Sequence, residues 1–73
     1  MDILLKIGQK IKYLREKEMM SQEALAFKAE IDRTYISSVE NGRRNLSIKT
    51  LERIAIALNV ENIYIFKITI LCQ

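Results

Sequence analysis

Apolar residues recur along the chain at spacings of three and four residues, the period of one face of a helix. Leu4, Ile7, Ile11 and Leu14 form the first such stripe, with Lys6, Lys10, Lys12 and Lys17 on the other faces and Asp2 placed to cap the start. The stripe predicts a helix from about Ile3 to Lys17. Gly8 weakens that helix by about 1 kcal/mol relative to alanine, and close packing against a neighbouring helix explains its presence. Ser21 is the next N-cap, followed by the strong helix formers Gln22, Glu23, Ala24, Leu25 and Ala26. Leu25 and Ala29 fall on one face of this second helix. Asp32 offers a further cap, and a helix from Arg33 to about Asn41 turns Ile36 and Val39 inward. Asn41 and Gly42 end it, since both tolerate a left-handed conformation. After a loop over residues 43–46, Ser47 caps a fourth helix whose buried face is Ile48, Leu51, Ile54, Ala55 and Leu58.

The pattern changes in the tail. Residues 63–70 are rich in β-branched and aromatic side chains, which by propensity favours a strand. A short fifth helix starting near Glu61 is the competing reading. In either conformation, so apolar a segment on so small a domain predicts a self-association surface over about residues 59–73, with Ile63, Tyr64, Phe66 and Ile68 in it. The run is interrupted by Lys67 and too short to span a bilayer.

Composition narrows the function more than the fold. At 73 residues the chain makes one domain, and 49% hydrophobic residues make it globular. With no proline and two glycines, helices joined by tight turns are expected. There is no histidine, which removes the commonest general base and the commonest metal ligand, and no Gly-rich phosphate loop or paired-carboxylate motif stands in their place. No catalytic residue, no metal and no cofactor is therefore expected. Cys72 is the one cysteine, so no disulfide framework is implied and a reducing bacterial cytoplasm fits. No secretory signal pattern is read at residues 1–8. A net charge of +3 is compatible with nucleic acid but is equally that of an ordinary lysine-rich surface.

Position along the chain decides between the two. Two short helices joined by a tight turn need a small residue where they cross, here Ala26, and apolar residues to hold the angle, here Leu25, Ala29, Ile31, Ile36 and Val39. Residues 21–41 meet these demands, which predicts a helix-turn-helix. A helical hairpin without a nucleic-acid role fits the same pattern. The outward face of the helix after Asp32 argues against it. At 100° per residue, Thr34, Ser38 and Asn41 lie opposite Ile36 and Val39, Tyr35 and Ser37 flank them, and Arg33 stands at the N-terminus. A merely solvated helix would carry Glu and Lys there. Arginine makes two hydrogen bonds to a guanine edge and threonine offers its methyl to thymine. Asn41, Arg43, Arg44 and Asn45 form a basic, amide-rich loop suited to phosphates, and Ser21 and Gln22 open a helix whose free amides suit another.

The run Ser21-Gln22-Glu23-Ala24-Leu25-Ala26, with Ile36-Ser37-Ser38-Val39-Glu40-Asn41-Gly42, resembles the XRE family of phage-repressor and Cro-like DNA-binding domains over about residues 7–58. Within that family, Asp32-Arg33-Thr34-Tyr35-Ile36-Ser37 and Arg44-Asn45-Leu46-Ser47-Ile48-Lys49 are most similar to the controller proteins of restriction–modification systems. The resemblance implies an all-α fold of five helices, which favours helix for the tail, and a homodimer. It implies that Arg33, Thr34 and Tyr35 approach base edges, that Gln22, Ser37, Arg44 and Asn45 lie against the backbone or at the edge of the groove, and that residues 63–68 lie in the dimer interface. It further suggests that Arg15 and Glu40 pair beneath the recognition helix. One position departs from the family: Glu30 stands in the turn where glycine or asparagine is common, because the backbone there is left-handed.

The expectation is thus an activator and repressor acting at its own operator, a pseudo-palindrome read in major grooves roughly 34–36 Å apart. RNA polymerase is a further candidate partner and no membrane is involved. An antitoxin or phage-type repressor is the alternative within DNA binding, and a helical protein-interaction module the alternative outside it. Several residues are given plainer roles: Tyr13 and Phe27 in core or edge packing, Met19 and Met20 as turn and core filler, and the lysines of the first helix as a solvated face.

Overall fold

The computed structural model describes residues 2–59, in which four helices follow one another without a strand: α1 (Ile3–Lys17), α2 (Gln22–Ala29), α3 (Arg33–Glu40) and α4 (Ile48–Ala57). The expected fifth helix and the interface residues Ile63, Tyr64, Phe66 and Ile68 lie outside the described residues. None of the described helices is long and apolar enough to cross a membrane.

Each helix starts on the side chain expected of it. Asp2 accepts from the Leu4 amide at 3.0 Å, Ser21 from Ala24 at 2.9 Å, Asp32 from Thr34 at 2.7 Å and Ser47 from Thr50 at 3.1 Å. Each such cap satisfies an amide that has no partner inside its helix. The first three helices also end alike. Met19, Glu30 and Gly42 take left-handed backbone, with φ of 58°, 57° and 70°. The following amide in each case reaches back five residues, Met20 to Arg15, Ile31 to Ala26 and Arg43 to Ser38, at 2.9–3.0 Å.

Glycine accepts that geometry freely, whereas a side chain adds about 1 kcal/mol or more of strain. Glu30→Gly is accordingly expected to raise the stability by about 1 kcal/mol, read as a higher urea midpoint at unchanged slope. A midpoint at or below wild type would show that Glu30 carries no strain.

α3 is the central element. It packs against α1 and α2, while α2 also packs against α4. Ile11, Leu25, Ile36 and Ile54, one from each helix, are the largest fully buried side chains. Around them close Ile7, Leu14, Ala26, Ala29, Val39, Leu51, Ala55, Ala57 and Leu58. Gly8 permits a close approach of α1 to α3: a Cβ on it would stand 2.1 Å from the Val39 carbonyl oxygen.

Two expected core residues are on the surface. Ile48 has the right phase for the buried face of α4 but is 68% exposed in the first turn. Periodicity fixes where a side chain points, not whether a neighbour is there to cover it. Phe27 is 87% exposed, because Leu25, Ala26 and Ala29 define the inward direction of α2 and Phe27 lies across the helix from it. Met20 packs against the core as a filler, but Met19 is 93% exposed at the left-handed turn. Tyr13 is an edge residue with the Lys10 ammonium 5.1 Å from its ring centroid.

Candidate nucleic-acid interface

The cap from Asp32 fixes where α3 begins and therefore which residues its first turn presents. Arg33 and Thr34 are exposed there, Ser37 and Ser38 are half-buried further along, and Ile36, Val39 and Glu40 face the protein. No acidic side chain follows Asp32 on the helix until the buried Glu40. The face keeps its hydrogen-bonding groups turned outward on a helix that α1 and α2 hold from behind.

Tyr35 is half-buried and packs against the core. The Arg44 guanidinium lies over its ring, 4.8 Å from the centroid, and the phenol donates a long hydrogen bond of 3.4 Å to the Asn45 carbonyl. Stacking of this kind holds a planar cation without using its N–H donors. Arg44 is thus held beside the first turn of α3 with its donors still available. Arg43, Arg44 and Asn45 all lie in the loop after α3, where the exposed Arg44 and Asn45 give the face a basic, amide-bearing rim. Asn41 is also exposed, but its amide nitrogen donates to the Ser37 carbonyl at 2.8 Å, closing the end of α3.

Ser21 and Gln22 open α2. The Ser21 hydroxyl oxygen is occupied as a cap, with its proton left to donate. Gln22 is half-buried and its amide nitrogen donates to Glu40 at 3.1 Å. Glu40 in turn receives the Arg15 guanidinium at 2.7 Å and 3.2 Å in a forked pair. The hydrogen bond to Glu40 is the chief cause that raises the Arg15 pKa above the ordinary arginine value.

The expected site residues therefore lie on three segments: Arg33, Thr34, Tyr35, Ser37 and Ser38 on α3, Asn41, Arg43, Arg44 and Asn45 after it, and Ser21 and Gln22 at the start of α2; Arg44 and Asn45 are joined to Tyr35, Asn41 to Ser37, and Gln22 to Glu40. Two of these links escape sequence reasoning, the Arg44–Tyr35 stack and the Gln22–Glu40 hydrogen bond. A tyrosine on a polar helix face followed by an arginine-rich loop is the signal that points to the first. Nothing in periodicity or propensity points to the second, which joins residues on different helices.

Known proteins place this geometry. A helix-turn-helix family model matches residues 11–61. The control protein C.MunI from a Mycoplasma species is 48% identical over 60 residues, covering 81% of each chain. The crystal structure of the restriction–modification controller protein C.AhdI from Aeromonas hydrophila superposes with a TM-score of 0.84 at 41% identity, over 86% of this chain and 96% of that one. The controller protein C.Esp1396I, solved as a tetramer in complex with its natural 35-base-pair operator, gives 0.86 at 43% identity over 96% of this chain and 92% of its own. With the caps, the turn and the polar face of α3 in their expected places, the chain belongs to the XRE-type helix-turn-helix family, with restriction–modification controller proteins among its similar relatives.

Proposed function

We propose that this protein is the transcriptional controller of a restriction–modification system, a homodimer that binds a specific duplex operator in the bacterial cytoplasm and regulates genes from it. The observation that carries the reading is the exposed face of α3. Arg33 and Thr34 stand exposed, and Ser38 half-buried, on a helix packed against α1 and α2, and Arg44 is stacked on Tyr35 of the same helix. Arg33, Thr34, Tyr35 and Ser38 are the proposed base readers, of which Tyr35 also steadies Arg44. Ser21, Gln22, Ser37, Asn41, Arg43, Arg44 and Asn45 are the proposed backbone contacts. The operator complex of C.Esp1396I supports the assembly, since that relative binds its operator as a tetramer. No catalytic role and no cofactor is proposed. RNA polymerase is the proposed partner through which a bound dimer would activate.

A gel-shift titration on the DNA upstream of the protein's own gene, against random duplex, tests the reading. Arg33→Ala is expected to weaken operator binding by about 1–3 kcal/mol for each base that the arginine reads. Random-duplex binding should change far less, and affinity for both should fall steeply with salt. Equal losses on both duplexes would remove Arg33 as a base reader, and wild-type protein that prefers neither would overturn the operator reading itself.

A further inference from the structure

Glu40 is 5% exposed and lies in the last turn of α3, on the side away from the reading face. Its carboxylate is nevertheless tied to a residue at the surface. One oxygen accepts from Arg15 Nε at 2.7 Å; the other accepts from Arg15 Nη2 at 3.2 Å and from Gln22 Nε2 at 3.1 Å. The remaining guanidinium nitrogen donates to the Met20 carbonyl at 2.7 Å, which fixes the turn before α2. The forked ion pair is complete without Gln22. The third bond therefore acts on Gln22, and through it on the first turn of α2.

A carboxylate can only accept, so the carboxamide of Gln22 has one orientation, with nitrogen toward Glu40. That uses one N–H. The second N–H and the carbonyl oxygen have no hydrogen bond among the described residues. A phosphate oxygen also only accepts, and a Gln22 held in this way offers it a donor. A free glutamine side chain would lose its rotamer freedom on binding, whereas this one has already lost it on folding.

We propose that Glu40 is a positioning residue for the DNA backbone: its buried carboxylate holds the Gln22 carboxamide so that the second N–H donates to a phosphate oxygen. The inference rests on the reading of the protein as a DNA-binding regulator. Glu40 itself touches no DNA. It gives the phosphate anchor and the recognition helix a common reference point, because the carboxylate that orients Gln22 belongs to α3.

The test is a double-mutant cycle in the full chain between Glu40→Asp, which keeps the charge for Arg15 but withdraws it by one methylene, and Gln22→Met, which keeps the length and removes the donors. Binding is measured on the upstream operator and on random duplex, at a temperature where each variant is fully folded. A phosphate contact carries no sequence information, so Glu40→Asp should weaken both duplexes by the same factor, roughly fivefold for a pre-ordered side chain. In the Gln22→Met background it should then have no further effect. Additive losses, or a loss confined to the operator, would overturn the inference. Wild-type protein that binds neither duplex would instead overturn the DNA-binding reading and the inference with it. Should Glu40→Asp fail to fold, NMR of wild type decides: the Gln22 side-chain amide should be as ordered as the backbone before DNA is added, and motion like that of an exposed glutamine would sink the proposal.

Discussion

Gly8→Ala is expected to cost the protein at least about 3 kcal/mol, although alanine is the better helix former by about 1 kcal/mol. The added methyl would stand 2.1 Å from the Val39 carbonyl oxygen and 2.9 Å from that of Glu40. These are main-chain atoms at the end of α3, so no rotamer change can clear them. α1 and α3 would have to separate, and that loosens the core to which they contribute the fully buried Ile11 and Ile36. A chain of this size has roughly 4–11 kcal/mol of stability in total, so the loss is a large share of it. Urea unfolding followed by circular dichroism measures it. A midpoint within experimental error of wild type would show that the two helices do not approach as closely as the structure has them. Whatever fraction of the variant folds should also lose operator selectivity, because the helix displaced is the one that carries Arg33 and Thr34.

Gly8 also shows how far the sequence can be read. A glycine in the middle of an amphipathic stripe implies a close neighbour, and one is there. The four caps were equally legible, because Asp and Ser before an apolar stripe have a specific hydrogen-bonding reason to be there. The left-handed turn at Glu30 was legible only through the family resemblance, and the one at Met19 was not legible at all, since methionine carries no local preference for it. Phe27 shows a different limit. Its bulk suggested packing, while the phase of Leu25, Ala26 and Ala29 already turned it outward. Phase was the better guide.

The interface divides in the same way. The exposed strip of α3 follows from helical geometry once Ile36 and Val39 are taken as inward. What geometry along one helix cannot supply is the contact between elements: Arg44 over Tyr35, nine residues away, and Gln22 against Glu40, eighteen residues away. Both depend on how the turns after α2 and α3 fold back. These contacts hold the Arg44 guanidinium over Tyr35 and the Gln22 carboxamide against Glu40, so on the proposed function they bear on binding as the residue types do.

The Arg15–Glu40 pair separates stability from function most sharply. Removing either partner alone, as Arg15→Met or Glu40→Met, is expected to cost about 3–5 kcal/mol, because each leaves a buried charge uncompensated. The double variant should recover most of that loss, since two methionines fill similar volume and no charge remains to be solvated. Alkaline pH should not disturb the wild-type pair. The guanidinium pKa is raised, chiefly by its hydrogen bond to Glu40, so its contribution is complete below the ordinary arginine value and is lost only as pH rises past the raised one. Thermal melts of the four proteins between neutral pH and about pH 10, still below the ordinary arginine value, measure both statements, and singles that melt with wild type would mean the pair contributes little. The double variant then becomes the informative one for DNA. It should fold, yet Gln22 has no acceptor to hold it, so affinity for operator and random duplex should fall together while the melting temperature stays near wild type. A double variant both as stable and as tight-binding as wild type would reduce the ion pair to packing. Because Arg15→Met also removes the bond to the Met20 carbonyl, a stable double variant with weakened binding shows why a charge is kept in so small a core when Glu40→Asp, with Arg15 in place, weakens binding as well: the charge then serves the surface.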